Sequence, residues 1–232
     1  MVEGLVLLLM VYLSIALHEW GHFVALRRFE VPVSLWAVGG PPWLWRWRRG
    51  GTEYRIGLLP LLGFVNPGER DFAGLRPWQK VLVYLAGPGV NFLAALVGLV
   101  ALGFLGDWGI FWRGLALFFT LPPLLVSGLV GFFLGLIPAG EAGFLAFFRQ
   151  GATLLEGGVV KGLALWVSLQ LALAWFNLLP LPPLDGGQAL LALGERWSLV
   201  MKVGRAVTVA GVVFLFLSLL WGLGYDLGLL GR

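Results

Sequence analysis

The 232-residue chain has no cysteine, only two histidines, and 12% charged residues, about half the share of an ordinary soluble domain. Without cysteine there is no disulfide framework, thiolate zinc finger, iron–sulfur cluster or thiol nucleophile. So little charge beside 59% hydrophobic residues argues against a water-soluble globule. Asparagine and glutamine are scarce, and thirteen arginines stand against three lysines, which suits a heat-adapted source or equally a biased genome composition. The net charge of +4 is not gathered on a polar, foldable surface, so nucleic acid is not the expected partner. The lipid bilayer is. The length suits one domain, 1–232, embedded in the membrane.

Four apolar runs are each long enough to cross a bilayer as a helix: residues 5–26, 81–105, 159–179 and 206–223. A cleaved signal peptide is the rival reading of the first, but Glu3 precedes it and no small-residue cleavage site follows. The segment 115–137 is apolar too, yet Pro122 and Pro123 interrupt it. Loop charges orient the whole. Residues 27–80 carry nine Arg and Lys, whereas 107–161 carry only Arg113, Arg149 and Lys161, which puts the first loop in the cytoplasm and the second outside. An even number of crossings must then separate the second span from the third, so 115–137 is expected to lie at the outer interface or to dip in and return. A fifth true span is the alternative. Trp43, Trp45 and Trp47 alternate with Arg46, Arg48 and Arg49 as an interfacial anchor does. Two short extended segments follow within 53–65, divided around Pro60, and a hairpin there must be covered by protein or sit at the interface. The expected fold class is therefore an all-α polytopic membrane protein with about four transmembrane helices, a membrane-associated β-hairpin and an interfacial or re-entrant segment.

The two histidines belong to His18-Glu19-Trp20-Gly21-His22, an H-E-x-x-H sequence. A spacing of four stacks both imidazoles on one helix face, where two nitrogens can meet one metal ion, and Glu19 can address a water there. An ionisable residue inside a span costs about 2.5–3.5 kcal/mol on insertion scales, so Glu19 needs a compensating partner, and zinc is one. Catalytic zinc takes three protein ligands and leaves a position for water. With no cysteine and no further histidine the third ligand must be Asp or Glu, and Asp185 is the candidate, because the third span delivers it to the depth of the first span's inner end. The alternative for Asp185 is an N-cap for the helix that follows. In this reading Glu19 is the general base and acid of a hydrolysis.

His18 to His22, Ala86-Gly87-Pro88-Gly89-Val90-Asn91 and the stretch Asn177 to Gly187 match, in order, three signatures of the site-2 protease family of intramembrane zinc metalloproteases, which the chain resembles over nearly its whole length. Residues 53–65 are similar to that family's membrane-associated β-hairpin. The resemblance implies cleavage of transmembrane segments of other proteins or peptides, with the substrate unwound and added as a strand to the hairpin edge. It also implies that Asn91 and Asn177 help hold substrate or the oxyanion. A bacterial cytoplasmic membrane is the expected location, and the loop charges put the active site near its cytoplasmic side. The departure is the missing space for a PDZ domain in 107–158 and the absence of a CBS domain. The rival functions are a catalytically silent zinc-binding scaffold and a metal transporter. A transporter needs several intramembrane acids or histidines, and the second, third and fourth spans have none in their interiors.

Overall fold

The computed structural model describes residues 2–133 and 144–226. In chain order these form α1 (Val2–Arg28), β1 (Val33–Arg49), β2 (Thr52–Pro67), α2 (Glu69–Ala73), α3 (Pro77–Leu105), α4 (Trp108–Phe133), α5 (Phe144–Leu155), α6 (Val159–Asn177), α7 (Asp185–Leu193) and α8 (Ser198–Asp226). Among the described residues five helices are long and apolar enough to cross a bilayer, namely α1, α3, α4, α6 and α8. Leu, Val, Phe and Trp side chains cover their outer faces, as expected of a surface turned to lipid. The chain is an integral membrane protein.

Helices α1, α3 and α6 form the centre. Val2, Leu105 and Val159 line one apolar cavity, of about 860 Å³. The start of α1, the end of α3 and the start of α6 therefore lie at the same end of the bundle, with α3 antiparallel to the other two. α1 and α3 touch closely through small residues: a Cβ on Gly21 would strike the Ala86 carbonyl and come within 3.0 Å of the Gly87 Cα. Ala95, Leu99 and Leu102 of α3 pack with Val167 and Leu171 of α6 into a fully buried core, to which α4 adds Phe111, Leu115 and Phe118.

α4 departs from expectation. Residues 115–133 neither lie apart at an interface nor turn back; they continue a helix that descends beside α3, with Trp108 against Phe104 at the start and Phe118 stacked on Phe92 further on. Residues 134–137 of the expected segment lie outside the described residues. The physical reason is the solvent. Lipid offers no hydrogen bonds, so a helix that has lost two donors at Pro122 and Pro123 is still better satisfied than any open loop. α3 nevertheless ends and α6 begins at the same end, as the loop charges require.

The sheet is also larger than expected. The hairpin turn is at Gly50–Gly51, not at Pro60, and both glycines have positive φ (57° and 84°), as a two-residue type I′ connection demands. Residues 53–58 and 61–65 belong to the single strand β2, and their partner is β1, including the Trp/Arg stretch. Leu35 pairs with both Asn66 and Glu53, and Trp36 with both Val65 and Tyr54, so the segments lie in the order 43–49, 52–57, 33–38, 63–67. Trp47 stacks on Tyr54 at 5.1 Å, and the Arg55 guanidinium lies 5.2 Å from the Trp43 ring. The root of the sheet packs on Phe23 and Leu26 of α1 and Val83 of α3. The Tyr12 hydroxyl, 2.6 Å from the Gly57 carbonyl and 2.8 Å from that of Leu58, ties the bend of β2 to α1.

Candidate active site

The site stands where α1, α3, β2 and the start of α7 meet. On α1, His18 and His22 lie one turn apart with their rings edge to face, centroids 4.9 Å apart. Each ring is oriented through its Nδ1. His18 Nδ1 is 2.6 Å from Asn91 Oδ1, and His22 Nδ1 is 2.8 Å from the Val83 carbonyl oxygen. Both partners are acceptors, so both Nδ1 atoms carry a hydrogen and both Nε2 atoms face inward, toward each other and Asp185.

Asp185 is delivered by the turn 178–184, where Gly186 and Gly187 pack directly on backbone atoms of Leu178 and Pro182 that any side chain would displace. It opens α7 but makes no capping bond, so the N-cap alternative does not hold. Its Oδ2 instead lies 3.0 Å from His18 Nε2 and 3.3 Å from His22 Nε2, and those two nitrogens are 3.2 Å apart. Burial acts to raise the Asp185 carboxyl, but contact with the two imidazoles outweighs it and holds the carboxyl below the usual carboxylate range. A buried Lys80 Nζ donates to Glu195 Oε2 at 2.6 Å and so pins the far end of α7 to α3.

Three electron-rich atoms this close together require positive charge among them. Their separations of 3.0–3.3 Å approach the edges of a tetrahedron around zinc, about 3.3–3.4 Å for bonds of 2.0–2.1 Å. The space beside them is kept open by Gly87, where a Cβ would collide with His22 Nε2 and lie 2.8 Å from His18 Nε2. The donor set, two imidazoles and one carboxylate, suits zinc. Among the described residues this is the one group of three or more metal-ligating side chains that converges.

Glu19 is buried and turned toward the same cavity, of about 350 Å³, that His18, His22, Asp185 and Asn177 line. No hydrogen-bond donor among the described residues reaches its carboxylate, and no arginine pairs with it. β2 forms the opposite wall, and a Cβ at Gly63 would lie 2.6 Å from Glu19 Oε1, so only glycine lets the strand come this near.

The two asparagines separate. Asn177 lines the cavity and spends one amide hydrogen on the Leu173 carbonyl at 2.9 Å. Asn91 is fully buried, accepts from His18 and donates to the Ser14 carbonyl oxygen at 3.2 Å and to Gln170 Oε1 at 2.5 Å. With both amide hydrogens committed, it cannot hold a substrate or an oxyanion, and the expectation for Asn91 is corrected to one of orienting His18. Gln170 and Ser14 were not found from the sequence. The one signal was an isolated glutamine in the middle of an apolar span.

The family model for peptidase family M50 matches residues 6–218. Zinc metalloprotease Rip1 of Mycobacterium tuberculosis is 39% identical in an alignment 123 positions long that covers 47% of this chain and 30% of that protein. Its counterpart in Mycolicibacterium smegmatis is 35% identical over 125 aligned positions that cover 46% of this chain and 30% of the relative. Protease RseP of Yersinia pestis is 36% identical over 96 aligned positions that cover 36% of this chain and 21% of the relative. The match thus covers less than a third of the length of these relatives. A model spanning nearly the whole sequence, on a chain whose histidines, glutamate and aspartate meet in one cavity among membrane helices, places it without ambiguity: the chain belongs to peptidase family M50, the family of the site-2 proteases.

Proposed function

We propose that the chain is a zinc-dependent intramembrane endopeptidase that hydrolyses peptide bonds within or near transmembrane segments of other proteins. The observation that carries this is the convergence of two imidazole Nε2 atoms and one carboxylate oxygen within 3.3 Å, beside a glutamate that takes no part in holding them. A silent zinc scaffold would need the three ligands but not Glu19.

His18, His22 and Asp185 would hold zinc, which when bound supplies Lewis acidity and lowers the pKa of a water toward about 7. Glu19, the next residue after His18 and about 100° around the helix axis from it, lines the same cavity; it takes the proton of the attacking water and returns it to the leaving amine, so that one peptide bond breaks and one water is consumed. Asn177 keeps an amide hydrogen and its carbonyl oxygen for a peptide in the cavity. The strand 63–67 pairs on one side with 33–38, and among the described residues its other edge is unpaired. A substrate helix hides its carbonyls in its own hydrogen bonds; an unwound segment laid along this edge presents them to the site. The lipid-facing helices let such a substrate arrive from the bilayer. The basic loop 27–80 at this end of the bundle supports a cytoplasmic-side active site in a bacterial inner membrane.

The test uses the purified protein in liposomes with single-span candidate substrates. Cleavage within or near the span is expected; a zinc chelator abolishes it and added zinc restores it. Cleavage that persists in metal-free protein would sink the reading.

A further inference from the structure

The hydrogen bonds behind His18 run in one direction only, and the direction is dictated by backbone carbonyls. Ser14 Oγ donates to the Met10 carbonyl oxygen at 2.8 Å, so its hydrogen is spent and it can only accept from Gln170 Nε2 at 3.0 Å. Gln170 is thereby fixed with its carbonyl oxygen toward α3. There it accepts from Asn91 Nδ2 at 2.5 Å, while the second hydrogen of that amide goes to the Ser14 carbonyl oxygen at the longer 3.2 Å. Asn91 in turn must present Oδ1 to His18, and His18 must answer with an Nδ1 hydrogen at 2.6 Å. Ser14, Asn91 and Gln170 are all buried, Asn91 and Gln170 completely, so no water takes over these contacts.

His22 differs. Its Nδ1 bonds a backbone carbonyl directly and cannot be misread, whereas His18 depends on a side-chain amide that presents an acceptor in one orientation and a donor in the other. We propose that Gln170 of α6 is a positioning residue for the metal centre: it locks the Asn91 amide with its oxygen toward His18 and so keeps the His18 Nε2 lone pair aimed at the site. The inference rests on the zinc reading above for its consequence, but not for the orientation of the ring.

Because the chain has only two histidines, the imidazole nitrogens of the metal-free protein can be assigned by nitrogen-15 NMR. Wild type is expected to show His18 with the hydrogen on Nδ1. Gln170→Met, of similar length and without polar atoms, is expected to show a mixture of the two His18 forms. It should bind zinc about 10- to 100-fold more weakly, the usual loss when a group that orients a metal-ligating histidine is removed. Gln170→Glu, buried as the neutral acid, keeps one acceptor and one donor in the same places and is expected to restore both readings. A folded Gln170→Met with the wild-type His18 form and zinc affinity overturns the proposal, as does equal loss of stability in both variants with no change at His18. If the Met variant does not fold, the Glu variant decides: retention of the Nδ1 hydrogen supports the proposal and its loss refutes it. A wild type that binds no zinc would refute the metalloprotease reading instead, and the NMR comparison would still stand.

Discussion

Exchanging Glu19 for Gln is expected to lower substrate cleavage by about 10²- to 10⁴-fold, the contribution typical of a positioned acid–base group, while zinc binding stays at the wild-type level. The substitution keeps the shape that fits beneath Gly63 and removes only the ability to carry a proton. Because the three converging atoms belong to His18, His22 and Asp185, the metal has no reason to leave. The measurement pairs product formation on a single-span substrate with the zinc content of the same preparation. Undiminished cleavage by the variant would remove Glu19 from the proposed reaction.

Asp185→Ala is expected to fail one step earlier, at binding. The aspartate brings the one negative charge among the three converging side chains, and a buried charge left without its partner costs about 3–5 kcal/mol. That corresponds to zinc bound roughly 150- to 5,000-fold more weakly. The fold should persist, because Asp185 makes no capping bond and α7 remains held through Lys80 and Glu195. Circular dichroism unchanged from wild type, together with lost zinc in a chelator competition, is the expected pair of results. Wild-type zinc affinity in this variant would assign the third ligand elsewhere.

Both predictions use residues that could be read before any coordinates, and the reason is that their chemistry is local. A spacing of four on a helix has one geometrical meaning, and a chain without cysteine leaves few candidates for the remaining ligand. Loop arginines place the ends of α1 and α6 at one depth, because they report on orientation independently of the motif. What could not be read depends on who sits opposite whom. Trp43, Trp45 and Trp47 look like an anchor until their pairing with 52–57 is known, and the same alternation is then a strand. Pro122 and Pro123 break helices in water, but lipid removes the alternatives to a helix. The role of Asn91 turns on Gln170, seventy-nine positions away, and a single polar residue in an apolar span carries no label of its partner. Asn177, by contrast, lines the cavity beside the two histidines and Asp185.

The most direct test of a zinc ion held between α1 and the start of α7 is X-ray absorption at the zinc edge on the purified wild-type protein. One zinc per chain is expected, with two imidazole nitrogens at about 2.0–2.1 Å and carboxylate or water oxygen at about 2.0–2.2 Å. A zinc-supplemented protein that retains no stoichiometric metal, or whose zinc shows no imidazole scattering, would contradict it.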